Sequence, residues 1–341
     1  APRRTAATIP LILWLLAGII SLAHSVALTT SLRGLVKILK AMAIVVLTAV
    51  SVVMAEPTGR AEKLAQSLAN LRALGVANAQ YRHDNHDYLP FVGIGPSPRG
   101  VPVAGQQLSG WATWTFGGKN CNAFWFTRIN GIFDVEAADR PLNRYVYPGF
   151  TYTAPPPPQR LPANSPARLN EQAKVYQDPA DLVGHQQNWP NANPASGGRP
   201  PLSCYDDIGT SYHMNMSWDD QLQSRISNFT ARFNEGTRRL AVGQGVDPAR
   251  FVIYNDEWAA MILNHSAPFS APGNHGVTNA SPTLFYDGHA SLITYQPGFN
   301  RAARITPTYS VWFEDLPRPS VGSGSGTTSI AEQPIPAEAV E

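Results

Sequence analysis

The chain has 341 residues, a formal net charge of +2 and only 15% charged side chains. This length suffices for one large domain or two small ones, each with a hydrophobic core. The weak charge excludes an acidic or basic tail protein and provides no positive surface for a nucleic acid, so we expect no nucleic-acid partner. Thirty prolines and 27 glycines predict a fold that is rich in loops.

The chain begins with an apolar stretch at residues 9–28, preceded by Arg3 and Arg4. A helix of about 20 apolar residues is long enough to cross a bilayer. Basic residues followed by an apolar run are also typical of a signal sequence. We therefore interpret residues 1–33 as a hydrophobic leader or a first membrane segment.

A second apolar stretch covers residues 35–55. As a helix it would be roughly 31 Å long, which again matches a bilayer. Arg33, Lys37 and Lys40 lie at its start, and positive charge marks the cytoplasmic side of a membrane helix. This orientation leaves everything after Glu56 outside the cytoplasm.

A helical pattern continues beyond the second stretch. Leucines recur at spacings of three to four, with polar residues between them, at Leu64, Leu68, Leu71 and Leu74. This spacing predicts an amphipathic helix with one face to bury. We therefore expect one N-terminal helix over residues 34–80, whose membrane half is 35–55. The pattern fades after Tyr81, in a turn-like run at residues 83–87.

Residues 81–317 are predicted to form a β-rich globular domain outside the cytoplasm. Short aromatic and β-branched runs, separated by loops rich in Pro, Gly and Asn, are typical of strands. These runs are 111–116, 123–126, 251–254, 283–286 and 291–295. One further helix is expected around residues 224–240. Residues 318–341 lack apolar periodicity and are predicted to be disordered. The predicted fold class is α+β.

Six segments, in this order, resemble those of a known bacterial family. They are LANLRALG at 68–75, YRHDNHDYLP at 81–90, RPLNRYV at 140–146, VYQDPAD at 175–181, GTSYHMN at 209–215, and His275 followed by LFYDGH at 284–289. The family is that of prepilin-like proteins related to type II secretion pseudopilins. Its members have a prepilin-type N-terminus and a C-terminal His…Asp-Gly motif, written H-x9-DG. Eleven residues separate His275 from Asp287 here.

The resemblance implies a pilin-like fold, in which the outer half of a long N-terminal helix packs on an antiparallel β-sheet with long loops. It implies a structural role and no enzymatic activity. The helix would assemble with like subunits into a type IV pilus-like or type II secretion filament. A prepilin peptidase would process the chain, with Gly34 and Leu35 as the nearest match to a cleavage point. The protein would sit in the bacterial inner membrane, with its C-terminal domain periplasmic or extracellular.

The His…Asp-Gly motif has two interpretations. Asp287 and Gly288 lie between two β-like runs and both accept the positive φ of a hairpin turn. His275 could then hold the preceding loop by a hydrogen bond, and His289 could pair across the hairpin. Alternatively, a His/Asp pair could act as a general base. The sequence has no Gly-x-Ser-x-Gly elbow, HExxH motif or Walker loop, which weakens a hydrolase or NTPase function.

Clusters of acidic and histidine residues could bind a metal. His83, Asp84, His86 and Asp87 are either metal ligands or turn formers, and a turn explains them better. Loop carboxylates can bind structural Ca²⁺, and the pairs Asp206–Asp207 and Asp256–Glu257 are calcium candidates. The alternative, that they are capping residues or solvated loop acids, explains them better. We expect no other cofactor.

The two cysteines and an aromatic cluster leave alternatives open. Cys121 and Cys204 either form a disulfide outside the cytoplasm or remain buried thiols. The aromatic cluster either fills the core or forms an exposed platform for a carbohydrate or partner protein. Its members are Trp111, Trp114, Phe116, Phe124, Trp125 and Phe126.

Two other functions compete with the structural subunit. A membrane-tethered binding module, for a surface polysaccharide or a partner protein, would keep the anchor without polymerising. An extracytoplasmic hydrolase would use His275, Asp287 or His289.

Overall fold

The computed structural model describes eight parts of the chain: residues 59–92, 113–122, 133, 135–147, 173–181, 203–264, 268–270 and 272–319. The predicted leader, the membrane half of the N-terminal helix, the cleavage point at Gly34 and Leu35 and nearly all of the predicted tail lie outside these residues. Within them, no helix is both long and apolar enough to span a bilayer.

The longest element is helix α1, Arg60–Asp84. At its start, the side chain of Glu62 accepts a hydrogen bond of 3.2 Å from the backbone N–H of Gly59, which satisfies one of the unpaired donors of a helix N-terminus. At its end, His86 and Asp87 adopt φ values of 54° and 63° and turn the chain away. A helix with one buried face is therefore present, but it continues through His83 and Asp84, and the turn occupies only residues 85–87 of the predicted run.

Four strands form one antiparallel sheet in the order β1-β2-β3-β4. They are Tyr212–Met214, Val252–Asp256, Ala280–Phe285 and Ala290–Thr294. The last three coincide with three of the predicted runs, and Asp287 and Gly288 form the turn between β3 and β4. The first strand has only three residues and was not predicted.

Six shorter α-helices and two 3₁₀ helices, Ala137–Asp139 and Lys174–Tyr176, complete the regular structure of the described residues. In chain order, α2 to α7 are Asn143–Val146, Cys204–Ile208, Ser217–Gln223, Phe229–Ala241, Glu257–Asn264 and Arg301–Arg304. Of these, only α5 was predicted. It begins later than expected because the side chain of Asn228 caps it, accepting a bond of 2.9 Å from the backbone N–H of Ala231. The chain is thus a mixed fold of helices and an antiparallel sheet.

The predicted strand at residues 111–116 is wrong in the part that the structure describes. Thr113 and Trp114 form a helical turn, and Thr115 and Phe116 belong to no strand. The backbone carbonyl of Trp114 accepts instead a hydrogen bond from the buried side chain of Arg140. The arginine side chain thus donates the hydrogen bond that a neighbouring strand would otherwise donate to this carbonyl.

Helix α1 packs on one face of the sheet, and α6 packs near the other. Leu71, Leu74 and Tyr81 of α1 are at most 1% exposed. The contact is close: a β-carbon added at Gly75 would lie 3.0 Å from Cδ1 of Leu284 in β3. Since both faces are covered, every residue of β2 and β3 is buried.

A close contact between α4 and α5 gives a first test of the packing. Gly236 of α5 lies directly beneath the ring of the fully buried Trp218, where a β-carbon would overlap the ring. Gly236→Ala should therefore destabilise the domain by about 1–3 kcal/mol, although Gly→Ala in an open helix position stabilises by up to about 1 kcal/mol.

Denaturant unfolding measures this change. The control is Ala231→Gly at an exposed position of the same helix, which should cost no more than about 1 kcal/mol. An increase in stability for Gly236→Ala would contradict the packing described here.

Candidate functional site

His275 and Asp178 form a buried pair at the N-terminal half of α1. Nε2 of His275 lies 2.9 Å from Oδ2 of Asp178, and the two side chains are 1% and 0% exposed. The other carboxylate oxygen of Asp178 accepts a bond of 2.8 Å from the backbone N–H of Ala180. Because a carboxylate only accepts hydrogen bonds, Nε2 of His275 carries the proton and donates it.

Helix α1 joins this pair through Ser67. The hydroxyl of Ser67 donates to Oδ2 of Asp178 over 3.1 Å, and its oxygen lies 2.8 Å from the hydroxyl of Tyr212. Since the proton of Ser67 goes to Asp178, Tyr212 donates to Ser67. We call Ser67, Asp178, Tyr212 and His275 the anchoring network. Its members come from α1, the 173–181 segment, β1 and the loop before β3.

Further polar contacts hold α1 along its length. Nδ2 of Asn70 donates to the backbone carbonyl of Gln177 over 2.8 Å. Near the other end of the helix, the hydroxyl of Tyr254 in β2 donates to Oδ1 of Asn78 over 3.0 Å. Both asparagines are buried. Because unpaired polar groups are costly in a buried interface, these bonds fix which face of α1 meets the sheet.

Asp181 is a second buried carboxyl group next to the network. It accepts bonds from the hydroxyl of Ser211, at 2.7 Å, and from the backbone N–H of Tyr205, at 3.1 Å. Burial raises the pKa of Asp181 to about 8; the bond from Ser211 opposes the rise, and the charge of Asp178 adds to it. Asp181 therefore keeps its proton at neutral pH.

Asp256, at the end of β2, is a third such group. Burial raises its pKa to about 7, with Ser281 opposing and Asp178 adding to the rise. Nδ2 of Asn274 lies 3.5 Å from Oδ2 of Asp256. Oδ1 of Asn274 accepts a hydrogen bond from the indole N–H of Trp258. The loop that carries His275 is thus held at two neighbouring residues.

The structure separates His275 from Asp287. Asp287 and Gly288 form the predicted hairpin turn, where Gly288 has φ 92°, and Nδ1 of His289 lies 2.6 Å from Oδ1 of Asp287 on the surface. His275 holds its loop by a hydrogen bond, as predicted, but its partner is Asp178. The motif residues therefore divide between a buried network, which contains His275, and an exposed turn, in which His289 pairs with Asp287.

The structure places the four carboxyl groups of the predicted calcium pairs in different surroundings. Although burial acts in the opposite direction, the ammonium of Lys119 lowers the pKa of Asp206 and pairs with it. Asp207 is fully buried in α3, Asp256 holds a proton below about pH 7, and Glu257 is buried at the start of α6.

The described residues contain no group of three or more His, Cys, Asp or Glu side chains that could hold a metal ion. This includes the run at residues 83–87. There His83 pairs with Asp84 on the surface, and His86 and Asp87 form the turn after α1.

For the residues that the structure describes, it also distinguishes between the alternatives for the two cysteines and for the aromatic cluster. Cys121 and Cys204 are both buried, and no disulfide joins them. Trp114 and Phe116 are core residues: Trp114 stacks on His213 at 4.6 Å between ring centroids, and Phe116 stacks on Tyr254 at 4.4 Å. Trp111, Phe124, Trp125 and Phe126 lie outside the described part of the chain.

The sequence analysis missed the role of Arg140. Its guanidinium is fully buried and donates to the backbone carbonyls of four residues, Trp114, Gly117, Val135 and Ile208. It also missed the partnership of Ser67, Asp178 and Tyr212. Apart from Ser67, these residues lie within the six segments quoted above, so their place in those segments was the available signal.

Comparison of the chain with protein-family models, with curated proteins and with solved structures finds no match.

Substitution of the two motif histidines should destabilise the domain to very different extents. His275→Ala should destabilise the domain by about 3 kcal/mol, because it leaves the buried Asp178 without its partner. His289→Ala, at an exposed pair, should cost less than about 1 kcal/mol.

Chemical denaturation of both variants, followed by circular dichroism, measures the difference. Equal effects of the two substitutions would contradict the separation of His275 from Asp287.

Proposed function

We propose that this protein is a membrane-anchored, pilin-like structural subunit that assembles through its N-terminal helix. The observation that carries the proposal is the attachment of the 25-residue helix α1 to an antiparallel sheet. Several of the polar residues that hold the helix, Asn70, Asp178, Tyr212 and His275, come from the segments that resemble prepilin-like proteins. A helix held in this way is a rigid extension of the globular domain.

The burial of these polar residues supports a structural role. Asp178, Tyr212 and His275 are at most 1% exposed, so a substrate in solution would not reach them. Arg140, fully buried, joins several chain segments through backbone carbonyls. The buried histidine, aspartate and arginine side chains of these segments form hydrogen bonds that hold different parts of the chain together.

The outward face of α1 provides a surface for assembly. Ala65, Ala69, Val76 and Ala79 are exposed along one side of the helix, and Val76 is 44% exposed. Small side chains allow neighbouring helices to approach closely and gain van der Waals contact. Such a face suits packing against the helices of other subunits.

The sequence before α1 supports a membrane anchor. The apolar residues 35–55 end only five positions before Arg60, and the basic residues at their start favour a cytoplasmic beginning. The anchor and α1 would then be consecutive parts of the N-terminal helix, with the domain in the periplasm or outside the cell. A prepilin peptidase would cut between Gly34 and Leu35.

The test is to express the full chain in a bacterium that has a prepilin peptidase and to isolate the membranes. Mass spectrometry of the N-terminus should find the chain beginning at Leu35, and electron microscopy should find filaments. Val76→Glu should abolish filaments while changing domain stability by no more than about 0.5 kcal/mol, because it places a charge on the assembly face.

Val242→Glu is the matched control, since Val242 is 64% exposed just after α5. It should leave the filaments intact. An uncut leader together with membrane-bound single subunits would contradict the proposal and would favour the tethered binding module.

A further inference from the structure

Three buried carboxyl groups share one hydrogen-bonded region beneath α1. Ser211 links two of them: its hydroxyl donates to Asp181 and accepts a bond of 3.0 Å from the backbone N–H of Asp178. The loop before β3 links the third, because Asn274 lies beside Asp256 while the next residue, His275, binds Asp178. All three carboxyl groups are at most 6% exposed.

This region has little positive charge. Nε2 of His275 donates to Asp178, and in the part of the chain that the structure describes no lysine or arginine forms a salt bridge with the three carboxyl groups. The other titratable groups beside them include His213, whose Nε2 lies 3.2 Å from the backbone carbonyl of Asp256, and three tyrosine hydroxyls. Burial lowers the pKa of His213 to about 4, so its ring stays neutral. Burial raises the pKa of Tyr205, Tyr212 and Tyr295, so these hydroxyls stay neutral. Simultaneous ionisation of the three carboxyl groups is therefore unfavourable in this region.

We propose that this region is a proton-controlled switch that fastens the N-terminal half of α1 while Asp181 and Asp256 are protonated and releases it when they ionise. The switch acts within one molecule and does not require that the chain form filaments. Ionisation would place two more negative charges near Asp178 in a poorly solvated environment, where carboxylates repel each other strongly. Opening of the helix lets water reach them.

The direction of the pH dependence follows from the two pKa values. The folded pKa of each group, about 8 for Asp181 and about 7 for Asp256, lies above the ordinary aspartate value of 3.8. The folded state thus holds protons that the open state releases. The fastening is therefore complete below about pH 4, weakens progressively as the pH rises above that value, and is lost above about pH 8.

Only the N-terminal half of α1 should detach from the domain when the carboxyl groups ionise. Ser67 and Asn70, in the first half, contact the region directly or through the 173–181 segment. In the second half, Asn78 binds Tyr254, and Asn85, after the helix, binds Tyr145. Neither of these contacts involves a carboxyl group, so the second half should keep its attachment.

Hydrogen exchange of the full chain, corrected for the intrinsic effect of pH, tests the switch. Between about pH 6 and pH 9, exchange at residues 64–72 should rise by about tenfold or more, and exchange at residues 77–84 by less than about twofold. Asp181→Asn and Asp256→Asn cannot ionise, and each should reduce the rise. Asp84→Asn, at an exposed position of the same helix, is the control and should leave it unchanged.

A second measurement needs no variant and so does not depend on their folding. The carboxyl carbons of ¹³C-labelled aspartates report protonation directly by NMR, and two of them should titrate between about pH 6 and pH 9. The proposal is overturned if every aspartate titrates below about pH 5, if the whole helix loosens uniformly, or if the folded asparagine variants match the wild type.

Discussion

Buried hydrogen bonds fix α1 against the rest of the domain, and the rest of the structure depends on this constraint. Leucines alone would let the helix turn or slide, since apolar packing has no direction. Hydrogen bonds to Asp178 and to the carbonyl of Gln177 remove that freedom. A shift of one residue turns the helix by about 100°, which would leave the buried Asp178 without Ser67. Because the cost of an unpaired buried charge is high, the network specifies one arrangement.

The same constraint connects the fold to the proposed function. Each member of the anchoring network comes from a different segment, so the helix and the domain become ordered together. A subunit that assembles through its helix needs the domain to follow the helix as one body, and a network of buried hydrogen bonds provides that stiffness. The face of α1 turned away from the sheet combines Ala65, Ala69, Val76 and Ala79 with the exposed Arg72, and its small side chains suit contacts with other helices.

Local signals in the sequence were sufficient for α1 and for the β3–β4 hairpin. The spacing of Leu68, Leu71 and Leu74 gave the buried face of the helix, and Asp287 with Gly288 gave the turn. These features depend on residues within a few positions of each other. The mixed fold of helix and antiparallel sheet followed from the same patterns together with the resemblance.

Features set by distant contacts could not be predicted in this way. His275 and Asp178 lie 97 positions apart, and nothing near either residue identifies its partner. The run at 113–116 has strand-forming residues, but the carbonyl that Arg140 binds is used outside any sheet. Likewise, the raised pKa values of Asp181 and Asp256 arise from burial, which depends on the assembled structure.

The most direct test of the central claim is a double-mutant cycle across the helix–domain contact, with Ser67→Ala and Tyr212→Phe measured singly and together by chemical denaturation. Each substitution removes one hydroxyl from the anchoring network. The account predicts a coupling free energy of about 1 kcal/mol or more between the two positions. Additive effects, within about 0.3 kcal/mol, would contradict the claim that this network fixes α1 to the domain.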